Sequence, residues 1–354
     1  MIAYRNIFRI ILSHKALSIG IFLILAACII ALFAYWLAPD RTTYANSMVL
    51  EIAGKEPGYR QLFLRIKHSE RPQKNLLQIL LDGDEDVYDR IPIMAYQQRG
   101  DSLWADKYID EGITEKRVYT NIQKNISIAA HTYYFGTDKF GRDILSRLII
   151  GTRVSLTVGA IAVFISLAFG ILLGAVAGYW GGKTDQVIMW FVQVIWSVPT
   201  ILLVLGVMLL LGKGTLQVFL AIGLSLWVNV ARMVRGQVLS AKEQTYVEAA
   251  RVLGFSHFRI LFIHILPNIM GAVWVLAASN FATAIMLEAG LSFLGIGIQP
   301  PQPSWGLMMK EHYNFIITNH PMLAITPGIA IMLLVLAFHL VGNGLRDLLD
   351  IRSS

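Results

Sequence analysis

The residues able to do chemistry are few and scattered. Gly182-Lys183-Thr184 in "GYWGGKT" has the ending of a phosphate-binding loop, but that loop needs a Gly five residues before Gly182, and Ala177 stands there. The stretch also follows an apolar run instead of a buried strand, so no strand-to-helix turn aims amides at a phosphate. Asp82, Asp84 and Asp86 open a calcium-loop spacing that then requires Gly sixth and Glu twelfth. Val87 and Ile93 occupy those places, and a solvated acidic turn is favoured. His257 and His264 are seven residues apart, about 10 Å along a helix and too far to share one ion. His312 and His320 flank a connection that has neither Cys nor an acidic cluster nearby in the sequence. Without an HExxH, GxSxG or Ser-Lys arrangement in a suitable setting, the expectation is no catalytic residue, no metal site and no cofactor. If ATP drives this protein, another chain must bind it.

The elements that must position these residues are membrane helices. Hydrophobic residues make up 55% of the 354 and charged residues only 15%, against about 25% charged in an ordinary soluble domain. A bilayer core takes roughly 20 apolar residues in a helix. Six uncharged runs qualify: 16–38, 154–182, 186–212, 214–231, 260–287 and 321–345. They are continuously apolar, whereas membrane strands alternate, so the fold class expected is an all-α integral membrane protein with six transmembrane helices.

Arg5, Arg9 and Lys15 precede the first run without any acid, which places the N-terminus in the cytoplasm. Six crossings return the C-terminus to the same side. Residues 39–147 hold 16 basic and 16 acidic residues, so the net charge of +7 sits beside the spans. It reads as topology and contact with anionic membrane lipid, and no nucleic acid is expected. Cys28 follows Leu25-Ala26-Ala27, as at a lipoprotein processing site, but apolar residues continue well past it and the first helix is retained.

Three parts follow: residues 1–38 as tail and first helix, 39–130 as a large extracytoplasmic insertion, and 131–354 as the transmembrane core. The insertion is too long for a structureless connection. Its runs "NSMVLEIAG" and "YRQLFLRIK", with "GKEPG" as a turn between them, suggest strands and an α+β character.

One charged stretch, within residues 235–268, carries a mechanical signature. Tyr246, Ala249, Ala250 and Leu253 fall at i, i+3, i+4 and i+7, one apolar stripe of a short cytoplasmic helix, with Glu248 beside it. Gly254 stands where a left-handed helix cap is expected, Ser256 can cap the next helix, and Pro267 marks where the chain enters the fifth span. Such a knob suits a groove in a cytoplasmic partner. An interfacial helix lying on lipid fits the same pattern.

Glu288 falls near the outer end of the fifth span, either as a pathway residue or as an acceptor for amides freed where Gly290, Gly295 and Gly297 bend the chain.

"EAARVLGFSHFRILFIHILPN" resembles the EAA signature of binding-protein-dependent ABC permeases: Glu248, Ala249, Ala250, Gly254, Leu266 and Pro267 fit it, and His264 departs from its usual Ile. "FGTDKFGRDILSRLIIGTRVSL", "EAGLSFLGIGIQPPQPSWG" and "PGIAIMLLVLAFHLVGNGLRDLLDIR" are similar to the dipeptide, oligopeptide and nickel subfamily, most of all its C-type subunit. Asn343 departs where the family usually has Asp, and the resemblance does not reach the insertion.

The resemblance implies the ABC importer permease fold in a bacterial inner membrane and import of peptides by alternating access. It implies a second homologous permease subunit, two ATP-binding cassette subunits and an extracytoplasmic substrate-binding protein. Tyr246, Glu248, Ala249, Ala250, Leu253, Gly254 and Pro267 would then couple to the ATPase. Polarity within the spans nominates Gln193, Asn229, Asn280 and Glu288 as lining the path, each of them alternatively a helix-to-helix hydrogen bond. Nickel or another small solute is the alternative substrate, and a membrane sensor or enzyme built on the insertion is the alternative class.

Overall fold

The computed structural model describes residues 14–67, 74–100, 102–120, 126–316 and 321–351; Arg5, Arg9 and His320 lie outside the described residues. In chain order the elements begin with α1 (Lys15–Leu32), a short α2 (Ala34–Leu37), β1 (Tyr59–Lys67), α3 (Leu76–Asp82), β2 (Tyr88–Arg99), β3 (Ser102–Asp110), β4 (Ile113–Thr120) and β5 (Ile126–Tyr133). Then come α4 (Ile144–Trp180), α5 (Gly182–Trp196), α6 (Thr200–Leu211), α7 (Thr215–Lys242) and α8 (Thr245–Val252). The last are α9 (His257–Phe293), α10 (Trp305–His312) and α11 (Met322–Ile351).

Among the described residues five helices, α1, α4, α7, α9 and α11, are long and apolar enough to cross a membrane. The run 186–212, expected as one span, is two helices, α5 and α6, bent by 93°, and makes a sixth crossing only if the pair is counted as one broken span. Pro199 is the cause: it donates no amide and forbids helical geometry to the residue before it. Ser197 closes α5 by donating its amide to the Gln193 carbonyl, and α6 restarts after Pro199. Several helices overrun the apolar runs that announced them, because charged residues are tolerated once a helix leaves the hydrocarbon; α7 continues to Lys242 and α4 begins at Ile144.

Two compact units divide the chain: Met1–Ala27, Ser155–Gln299 and Ala330–Ser354 form the first, Cys28–Val154 and Pro300–Ile329 the second. In the first, α4 and α7 meet along a seam of small residues. Gly170, Gly174 and Gly178 recur every fourth residue of α4, on one face, directly beneath Val230, Ala231, Val234 and Val238 of α7. At the end of this seam a core of Ala175, Tyr179, Val234 and Val238 receives Val247, Ala250, Ile260, Leu261 and Ile265. Gly20 of α1 lies equally close to the α11 backbone at Ala337.

The second unit contains a five-stranded antiparallel sheet of order β4-β3-β2-β1-β5. Alternation along β1 sends Phe63 to one face, with Tyr108, Tyr133, Val49 and Ile52, and Leu64 to the other, with Ile93, Leu103 and Ala105. "YRQLFLRIK" is β1 as expected. "NSMVLEIAG" is not a strand: its Leu50–Ile52 forms one 3-10 turn whose Ile52 packs on the sheet.

Candidate functional site

The corner around α8 is fixed from both ends. Val247 and Ala250 are buried in the first unit's core. The predicted stripe therefore does not form one face: Ala250 points inward, while Tyr246, Ala249 and Leu253 are exposed together with Glu248 and Val252. The signature is thus split: Glu248 and Ala249 face outward, while Ala250 with Val247 holds the helix in place.

Gly254 has φ +74 with no atom within 4 Å of where a Cβ would stand. A larger residue there would strain the backbone instead of meeting a neighbour. The turn is completed by the Phe255 amide donating to Ala250 and the Gly254 amide to Arg251. Ser256 then caps α9, its hydroxyl accepting from the Arg259 amide.

The passage into α9 is continuous. Residues Ile260–Ile265 form a π turn inside α9, separated from Pro267 by Leu266 alone. A proline cannot serve the carbonyl four residues back, and an i→i+5 turn passes that carbonyl to the next residue. Asn268 adds a bond from its side-chain amide to the His264 carbonyl. His257 is held by the Tyr179 hydroxyl, 3.0 Å from Nδ1, and His264 stacks on Phe255. Lys242 donates to the Tyr179 carbonyl. On the same side Arg235 grips Asp185 with two bonds of 2.5 and 2.6 Å, tying α7 to the start of α5.

The four candidate path residues separate into two pairs. Gln193 and Asn229 are exposed. Asn280 and Glu288 are buried within the first unit. Glu288 accepts from the Ser292 hydroxyl at 2.7 Å, and that hydroxyl accepts from the Ile298 amide. The carboxylate thus serves the bend after α9, where Gly297 packs against Ser292 too closely for a side chain.

The second unit holds a charged cluster that sequence distance concealed. Asp138, Glu311 and His312 bring ligand atoms within 4.8 Å of one another, so folding adds the distant Asp138 to Glu311 beside His312, where the local sequence offered no acidic cluster. Arg142 already occupies the space, bonding Asp138 at 2.6 Å and Glu311 at 2.9 Å, with the buried Arg147 within 4 Å of both carboxylates. Two guanidinium groups supply the positive charge, so the donor set suits an internal ion-pair network and not a metal.

Asp138 also accepts from the Phe140 and Arg142 amides, which folds "GTDKFGRD" into a tight loop. Burial pushes the Asp143 carboxyl up to about 6 even though Ser146 bonds it, and burial lowers His312 below its ordinary value. His312 Nδ1–H donates to the Met308 carbonyl.

Residues 170–354 match the family described as binding-protein-dependent transport system inner membrane component. The chain belongs to this family. The oligopeptide transport system permease protein OppC of Bacillus subtilis is 39% identical over 231 residues, covering 65% of this chain and 75% of that one. The glutathione transport system permease protein GsiD of Pectobacterium atrosepticum is 42% identical, covering 62% and 72%. The dipeptide transport system permease protein DppC of Bacillus subtilis is 41% identical, covering 62% and 68%. An inward-facing MetNI methionine ABC transporter structure aligns with 58% of this chain and 97% of that one, at 18% identity and a TM-score of 0.45. The chain is thus a permease subunit of the ABC importer class and not itself an enzyme. The glycine seam and the π turn of this permease were missed at the sequence level; the i, i+4, i+8 spacing of Gly170, Gly174 and Gly178 was the available signal.

Proposed function

We propose that this permease forms half of a path for peptides across a bacterial inner membrane. A second homologous permease supplies the other half, two ATP-binding cassette subunits work from the cytoplasm, and a substrate-binding protein delivers the peptide from outside. Both termini are cytoplasmic in this reading and the insertion 39–130 is extracytoplasmic. What supports peptides as the solute is that relatives at about 40% identity are permeases for oligopeptides, dipeptides and glutathione.

The observation that carries the coupling mechanism is the corner at α8. Its outward surface, Tyr246, Glu248, Ala249, Val252 and Leu253, is free to seat in an ATPase groove. Val247 and Ala250 lock the helix to α7 and α9, and the turn at Gly254 and the π turn make the connection to α9 stiff. A push on α8 is then passed to two spans as a rigid-body motion.

The test is Ala249→Trp, which enlarges an exposed position without touching the core. In proteoliposomes holding the whole transporter, peptide uptake and peptide-stimulated ATP hydrolysis should both fall at least about tenfold, while the variant still copurifies with the second permease. Normal uptake in that variant would end the coupling assignment.

A further inference from the structure

Three long helices of the first unit present polar side chains to one groove. Gln237 comes from α7, Asn268 and Ser279 from α9, and His339, Asn343 and Arg346 from α11, around a cavity of about 760 Å³. Its remaining described walls are apolar or glycine, and none of its described lining residues is an acid. Among the described residues no carboxylate pairs with Arg346. Asn229, also exposed, lies two turns back from Gln237 on α7.

Depth decides what the groove can face. Asn268 stands beside the α8 corner, and Ser279 lies eleven residues further along α9, about 16 Å deeper. His339 lies about 10 Å deeper than Arg346 along α11. Amides, an imidazole and a hydroxyl at that depth are costly against acyl chains, and such groups in membrane proteins face a bundle interior or a water-filled cavity. A lipid site would need only the Arg at the rim and an apolar wall behind it. The polar ladder continues inward instead.

We infer that this groove is the chain's wall of the inner half of the solute path, and that Arg346 at its cytoplasmic mouth makes it selective for a solute with a free carboxylate. The inference rests on the permease reading above and adds to it the wall and the charge preference. Among the described lining residues Arg346 carries the one full charge, so a carboxylate passing through meets it with amide and imidazole donors leading to it. Gln193, Asn280 and Glu288 have no part in this wall.

Single cysteines at Ser279, His339 and Leu276 in a Cys28→Ser background test it, read by thiol labelling of the assembled transporter in inverted membrane vesicles. The probes are an anionic sulfonate and a cationic trimethylammonium methanethiosulfonate, each normalised to its rate with a free thiol. Ser279→Cys and His339→Cys should label from the aqueous side, with the anionic reagent favoured about fivefold or more. Adding Arg346→Gln should remove that preference, and a saturating tripeptide should slow labelling where its amidated form does not.

Absence of labelling at Ser279→Cys and His339→Cys would overturn the assignment, as would an anionic preference that survives Arg346→Gln. ATP-driven tripeptide uptake by the Cys28→Ser transporter in the same membranes is the separating control. Uptake present with labelling absent sinks the groove alone; uptake absent with intact assembly sinks the peptide reading beneath it.

Discussion

Substituting Gly174 by Ala puts one methyl group where α4 and α7 are in backbone contact. An ideal Cβ there would lie 2.4 Å from the Ala231 carbonyl oxygen and 3.0 Å from Val234 Cβ. Favourable contact begins at about 3.5 Å, so the helices must part by roughly 1 Å, and a gap of that size forfeits a quarter to a half of each dispersion contact along the seam. A Cβ at Gly170 would likewise stand 2.4 Å from Val230 Cβ and one at Gly178 2.8 Å from the Arg235 carbonyl oxygen, so the separation cannot stay local. The expected cost is roughly 1–3 kcal/mol.

Gly206 of α6 is the internal control, because nothing lies within 4 Å of its Cβ position. There the same change gains helix propensity, roughly 0.8–1 kcal/mol, and meets no neighbour. The assay is the thermal denaturation midpoint of the purified transporter in mild detergent. Gly174→Ala should lower the midpoint and Gly206→Ala should hold or raise it. Equal shifts in one direction would refute the close seam.

Four further outcomes follow from named contacts. The Asp143 carboxyl, raised to about 6 from 3.8 by burial, binds its proton more tightly folded than unfolded, so it adds stability as pH falls from 6 towards 4; Asp143→Asn should lose that gain, worth up to about 3 kcal/mol. His312, lowered by burial, acts oppositely and costs stability below about 6.5, so His312→Gln should soften acid denaturation measured by the same midpoint. Val247→Ala removes two buried methyl groups and should cost about 1.6 kcal/mol or more, whereas Leu253→Ala, at an exposed position, should leave the midpoint unchanged and lower peptide-stimulated ATP hydrolysis. For Arg235 and Asp185, a double-mutant cycle with Arg235→Gln and Asp185→Asn should show a coupling of about 1 kcal/mol that weakens with salt.

What the sequence by itself determined are properties that live within a few residues of chain. Long uncharged runs demand helices in a bilayer, Gly254 demands a turn with positive φ, Ser256 demands a capped helix start, and the ordered motifs identify the family. Tertiary structure decided which side of each helix faces in. A stripe at i, i+3, i+4 and i+7 cannot say that Ala250 is buried while Tyr246, Ala249 and Leu253 stay open, because the deciding surface belongs to α7 and α9.

The same holds for polar residues in the spans. Polarity within a span leaves open whether Asn280 and Glu288 line a path or bond between helices; packing buries both, while Gln237, Ser279 and His339 from three separate helices line one groove. Asp138 and Glu311 meet across 173 residues through Arg142, a proximity no local period encodes, since long-range contact is set by how helices and loops pack and not by the spacing along any one of them.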